Sequence, residues 1–129
     1  MADTSVWIDL LNLRESSQAS LLKLFIEIDA PVVLCPPVIQ EVLQGIKEDK
    51  DYRQVKDLFS GFEILKLNPE EAAYGAATLY RQVRKKGITI RKSFDCLIAF
   101  YCISCKATLL HNDADFDKIA QHSSLMTIE

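Results

Sequence analysis

The stretch 93–105 constrains this chain most. Phe94, Leu97, Ile98, Tyr101, Cys102 and Cys105 recur at helical spacing, and Ala99, Phe100 and Ile103 fill the remaining sides. A helix that is apolar nearly all round cannot lie on a surface and has to be enclosed by other elements. Its single charge, Asp95, falls close to its expected start at Ser93. A carboxylate set among Phe94, Leu97 and Ile98 is costly unless something pairs with it, so Asp95 is the first candidate functional residue.

The segments that must enclose this helix alternate in type. Residues 16–29 carry Leu21, Leu22, Leu24, Phe25 and Ile28 at helical spacing, and Pro31 ends them. Residues 32–35 form a short continuous apolar run, suited to a strand buried on both faces. Pro36 and Pro37 open a helix holding Val38, Ile39, Val42, Leu43 and Ile46, with Glu41 one turn in. A short helix is expected over 51–61, and an alternating strand, nearer an edge, over 62–67. Asn68, Pro69 and Glu71 mark a helix start, and Gly87 is its natural stop. A strand over 108–110, a helix over 113–121 and a strand over 124–128 complete the order. At the other end, Thr4 and Ser5 read as helix caps, so Asp3 stands between a stub of a strand and the first helix. The pattern predicts one α/β domain over 1–129: an α/β/α sandwich with a mostly parallel central sheet of about four to five short strands, flanked by about six or seven helices.

A net charge of −3 argues against a basic nucleic-acid coat but leaves room for a local basic patch. No apolar run approaches the roughly 20 residues that cross a bilayer, so no membrane partner is expected. No basic region precedes an apolar core at the N-terminus, and a cytoplasmic location is expected. Cys35, Cys96, Cys102 and Cys105 lack the spacing of a zinc site and read as buried free thiols.

Four acids occupy equivalent places. Asp3 follows the first strand, Glu41 lies early in the helix after the second, Asp95 sits just inside its helix, and Asp113 follows the strand at 108–110, with Asp115 two residues on. In a parallel sheet, the C-terminal ends of strands and the N-termini of the following helices share one edge. Carboxylates gathered there repel one another unless a cation sits among them. An all-oxygen donor set suits Mg2+ or Mn2+, and such a site with open positions suits phosphoryl chemistry. His111 is the only nitrogen ligand close in sequence, which disfavours zinc. Arg81, Arg84, Lys85, Lys86, Arg91 and Lys92 lie between the two helices flanking the acids and could hold a polyanion's backbone. An acidic pocket with a basic rim points to a nucleic acid cut at its phosphodiester.

The motifs Asp-Thr-Ser-Val-Trp-Ile at 3–8, Pro-Pro-Val-Ile-Gln-Glu-Val at 36–42, Ser-Phe-Asp-Cys-Leu-Ile-Ala at 93–99 and His-Asn-Asp-Ala-Asp-Phe at 111–116 resemble, in order and spacing, those of the PIN-domain ribonucleases. In particular, the chain resembles the VapC-type toxins of toxin–antitoxin pairs over its whole length. The resemblance implies an Mg2+- or Mn2+-dependent endoribonuclease acting on RNA. It also implies a homodimer, held inactive by a small VapB-type antitoxin that inserts a segment across the active site. Asp3 and Asp95 match the family's metal ligands, and Glu41 matches the third acid. Both Asp113 and Asp115 fit the fourth; Asp113 is favoured as ligand, with Asp115 a supporting acid or helix cap. Thr4 or Ser5 matches the small hydroxyl that orients the first acid. The family has several apolar residues before the first Asp, whereas here only Met1 and Ala2 precede it. The first strand is therefore expected to be a stub, unless the native chain starts upstream of Met1.

Blander readings compete. Asp3 could cap a helix, Asp117 belongs to a solvated helix start, and the basic run could be an exposed helix end. Trp7 is expected in the core or a dimer interface, and His111 and His122 are expected to have no role. At the level of the whole chain, the alternatives are a non-catalytic PIN-like protein-interaction domain and a phosphoacceptor receiver. The receiver lacks its paired acids after the first strand, because Thr4 follows Asp3.

Overall fold

Asparagine and glycine mark where the helix over 69–85 begins and ends. The computed structural model describes residues 1–128. Its elements in order are α1 (Thr4–Leu11), α2 (Ser17–Glu27), β1 (Val33–Leu34), α3 (Pro36–Gln44), α4 (Asp49–Phe59), β2 (Glu63–Ile64), α5 (Pro69–Lys85), α6 (Ser93–Cys105), β3 (Leu109–Leu110), α7 (Ala114–Gln121) and β4 (Thr127–Ile128). Asn68 caps α5 by accepting from the N–H groups of Glu70 and Glu71. Gly87, at φ 80°, ends it in the left-handed region that glycine enters without strain. Ser16 caps α2 in the same way, accepting from the Ala19 N–H.

The strands are parallel, as expected of an α/β alternation, and shorter than the apolar runs that contain them. β1 pairs with β2, Val33 opposite Glu63, and β3 pairs with β4, Leu109 opposite Thr127. The chain start makes one parallel bridge, Ala2 to Leu110. Its backbone is nonetheless well tied: the Met1 amine donates to Thr108 O at 2.8 Å, the Leu110 N–H to Met1 O at 2.8 Å, and the Asp3 N–H to Leu110 O at 3.0 Å. The stub bridges to Leu110, and the described residues form two ladders rather than one continuous sheet. β2 is exposed at both residues, which fits an edge.

As its composition required, α6 is enclosed. Cys96, Ile98, Ala99, Tyr101 and Cys102 are buried, with α5, α3 and α7 packed around the helix. Gly75 of α5 lies against Phe100, and a Cβ there would overlap the ring. Trp7 is fully buried and meets Phe59 edge-on, with centroids 5.0 Å apart, so it belongs to the core. The four thiols are free; three are buried and Cys105 is half-buried. Burial pushes Cys35 and Cys102 up to about 12, which leaves them as protonated, unreactive thiols. No described helix is long and apolar enough to cross a membrane.

Candidate active site

Because the ladders are parallel, the N-termini of α1, α3, α6 and α7 open on one edge, and each delivers an acid there. Asp3 is the N-cap of α1, with extended backbone and an Oδ1 that accepts from the Val6 N–H at 3.3 Å. The caps expected at Thr4 and Ser5 therefore lie one place earlier. All three residue types can cap; Asp3 is the one whose φ and ψ leave the helix, and Thr4 is already its first residue. The two hydroxyls serve the acids instead. Ser5 Oγ donates to both carboxylate oxygens of Asp3 at 3.0 Å, and Thr4 Oγ1 donates to Glu41 Oε1 at 2.7 Å.

Asp95, in the first turn of α6, is 4% exposed, and its Oδ2 has no hydrogen-bond partner among the described residues. Its pKa is pushed up to about 7, first by burial and then by the charge of Asp113, with Glu41 and Asp3 adding to the rise. Asp3 is pushed up to about 6 by burial, against the hydrogen bonds from Ser5 and Val6. Asp95, Asp113 and Asp115 each offer a carboxylate oxygen within 4.8 Å of the others. Of the four expected acids, Asp95 and Asp113 fall in this cluster, and Asp115 joins them; Asp3 and Glu41 are not members of it, but their charges act on Asp95.

Asp113 and Asp115 divide their work differently from the expected cap assignment. Asp113, not Asp115, is the N-cap of α7, accepting from the Asp115 N–H at 2.9 Å. Its backbone is extended while residue 115 is already helical, which is why the first acid of the pair caps. Asp115 is 1% exposed and receives the Arg91 N–H at 3.2 Å, the Arg91 Nε at 3.2 Å and Lys118 Nζ at 3.5 Å. Burial acts to raise its pKa, but the Arg91 backbone and guanidinium outweigh it and hold Asp115 below the usual carboxylate range. Asp113 keeps Oδ2 with only Lys92 Nζ, 3.9 Å away, beside it.

The six cations expected as one rim separate into two groups. Arg81, Arg84 and Lys85 are exposed on α5 around a hollow of about 330 Å3, and Lys86 follows as the C-cap of α5. Arg91 and Lys92 turn toward the acids instead, pairing with Asp113 and Asp115. The loop after Gly87 folds back over the start of α7, a tertiary arrangement that a run of charges in sequence does not encode. His111, expected to have no role, is 7% exposed, and its Nδ1 accepts the Asp113 N–H at 3.2 Å. It thereby shapes the turn that presents Asp113. His122 is only the C-cap of α7.

A parallel α/β fold that gathers three carboxylates within 4.8 Å of one another defines a class of domain whose acidic cluster could hold a hard cation. The comparisons with known proteins give that class a family. The sequence profile of the PIN domain matches residues 1–121. A VapC ribonuclease of Mycobacterium bovis and ribonuclease VapC11 of Mycobacterium tuberculosis are each 33% identical over 126 residues, 97% of this chain and 94% of theirs. Among solved structures, VapBC2 of Rickettsia felis, bound to a promoter DNA fragment, superposes with a TM-score of 0.75 at 22% identity, covering 99% of this chain and 96% of that one. VapBC-1 of nontypeable Haemophilus influenzae gives 0.74 at 21% identity, covering 100% and 96%. The chain belongs to the PIN domain family, in its VapC branch.

Proposed function

We propose that this chain is a metal-dependent endoribonuclease that hydrolyses RNA phosphodiester bonds and serves as the toxin of a VapBC-type toxin–antitoxin pair. The observation that carries the reading is Asp95 Oδ2: a buried carboxylate oxygen without a donor, among acids that push its pKa up to about 7, has the environment of a cation ligand. The donor set fits Mg2+ or Mn2+, being carboxylate oxygen throughout. Asp3, Glu41, Asp95 and Asp113 would hold the ion, with Asp115 anchoring the turn behind Asp113. When bound, such an ion lowers the pKa of a coordinated water and stabilises charge on the phosphate.

The chain's own residues supply positioning. Ser5 fixes both oxygens of Asp3, Thr4 fixes one oxygen of Glu41, and His111 holds the backbone of the Asp113 turn. Arg81, Arg84 and Lys85 provide exposed charge for the RNA backbone. The chain works as one domain over 1–129, in the cytoplasm, as a homodimer whose cognate VapB-type antitoxin covers the acidic edge. A non-catalytic interaction domain is not favoured, since relatives matching nearly the whole chain are ribonucleases.

The test is RNA cleavage by purified protein with Mg2+, Mn2+ or chelator, for wild type and Asp3→Asn, alongside thermal melting. Metal-dependent cleavage and a metal-induced rise in Tm, both lost in Asp3→Asn, are the expected result. The absence of both cleavage and a Tm shift at millimolar metal would overturn the reading.

A further inference from the structure

Arg91 occupies an unusual place for a residue expected to bind RNA. Its Nε lies 3.2 Å from Asp115 Oδ2 and its Nη2 3.3 Å from Asp113 Oδ1, yet its side chain is 69% exposed. It therefore neutralises two of the three clustered acids from the solvent side. The third, Asp95, is left with its buried Oδ2 unpaired on the inner side. A divalent cation drawn to that oxygen and to Asp113 would compete with the guanidinium for Asp113 Oδ1, and the two positive charges would repel at this range.

We propose that Arg91 is the resident counter-ion of the acid cluster, displaced when a divalent cation enters, and that the freed guanidinium then grips a phosphate oxygen of the RNA. The inference rests on the nuclease reading. Release is open to the guanidinium because it reaches the acids from solvent, 69% exposed, where salt screens it. It does not unmake the fold, because the Arg91 backbone N–H still donates to Asp115 and Lys118 stays 3.5 Å from its other oxygen. The planar guanidinium fork suits a phosphate as well as it suits a carboxylate. Entry of the metal and capture of the substrate thereby become one exchange: the positive group that leaves the carboxylates is the one that meets the RNA.

Two readouts test this: calorimetric titration of Mn2+ into the protein without RNA, and single-turnover cleavage of a labelled single-stranded RNA at saturating Mn2+. Arg91→Ala is expected to bind Mn2+ about fivefold tighter than wild type, because a competing cation is gone. The same variant is expected to cleave at least about tenfold more slowly, because a phosphate contact is gone. A group that merely supports the structure would move both in the same direction. Arg91→Lys keeps the charge without the fork, so its Mn2+ affinity should stay near wild type while its cleavage falls; it carries the test if the alanine variant melts early. Unchanged or weaker Mn2+ binding by a folded Arg91→Ala overturns the counter-ion role. Tighter binding with wild-type cleavage overturns the phosphate contact. A wild type that neither binds Mn2+ nor cuts RNA overturns the nuclease reading itself.

Discussion

Asp95→Asn should stabilise the metal-free protein. In the fold, the Asp95 carboxyl rises from 3.8 to about 7, driven by burial and by the charge of Asp113. At 1.36 kcal/mol for each unit, keeping Asp95 ionised above pH 7 opposes folding by about 4 kcal/mol. The carboxamide has the same shape and no charge, and its N–H2 can donate to a neighbouring carboxylate. Imperfect pairing of that amide leaves a gain of about 1–3 kcal/mol, which corresponds to roughly 4–12 °C in Tm for a domain of this size. The gain must depend on pH in a defined direction. Because the folded pKa lies above the unfolded one, the native state binds more protons between about pH 4 and 7, and wild-type stability falls as pH rises through that window. The Asn variant loses this contribution and keeps the smaller slope from Asp3, whose carboxyl is pushed up to about 6. Differential scanning fluorimetry at pH 5.0 and 7.5, with chelator, should show a small advantage for the variant at the lower pH and a large one at the higher. Mg2+ should raise the wild-type Tm at pH 7.5 and leave the variant's nearly unchanged. A variant that melts no higher than wild type at pH 7.5, or whose advantage is as large at pH 5.0, would refute the electrostatic reasoning.

Thr4→Val removes the 2.7 Å hydrogen bond to Glu41. It is expected to cost about 1 kcal/mol of stability and to slow RNA cleavage about tenfold with the melting transition still cooperative; cleavage rates and melts on the same sample check this. Gly75→Ala places a Cβ into the Phe100 ring, and the repacking between α5 and α6 should cost about 1–3 kcal/mol, read as a lower midpoint in urea unfolding. Arg84→Ala combined with Lys85→Ala should weaken RNA binding and reduce the slope of log affinity against log salt by about 1–2, measured by fluorescence anisotropy; an unchanged slope would return these side chains to a solvated helix end.

What could be read in the sequence was what local rules determine. The enclosure of α6 follows from its lack of a polar face, and the start of α5 from Asn68 and Pro69. The meeting of Asp95 and Asp113 follows from a parallel alternation that places strand ends and helix starts together. Cap identity was less legible, because Asp3, Thr4 and Ser5 are all competent and only the backbone at Asp3 decides between them. The pairing of Thr4 with Glu41 spans 37 residues, and nothing local signals it. Arg91 and Lys92 looked like members of a basic rim because charge in sequence carries no direction. The Gly75–Phe100 contact did leave a trace, a glycine inside a strong helical pattern, which often marks a close approach of two elements.

The tie between Met1 and Thr108, 107 residues apart, also bears on synthesis. Asp3 precedes by more than a hundred residues the strand that fixes it, and the acids Asp95 and Asp113 follow it at comparable distance. Contacts this distant in sequence form late and slowly. A nascent chain can collapse around α1 to α5 well before then, yet it lacks Asp95 and Asp113. A chain stalled before residue 95 holds Asp3 and Glu41 alone, and one stalled before residue 109 still lacks Asp113 and the β3 backbone that ties down the chain start.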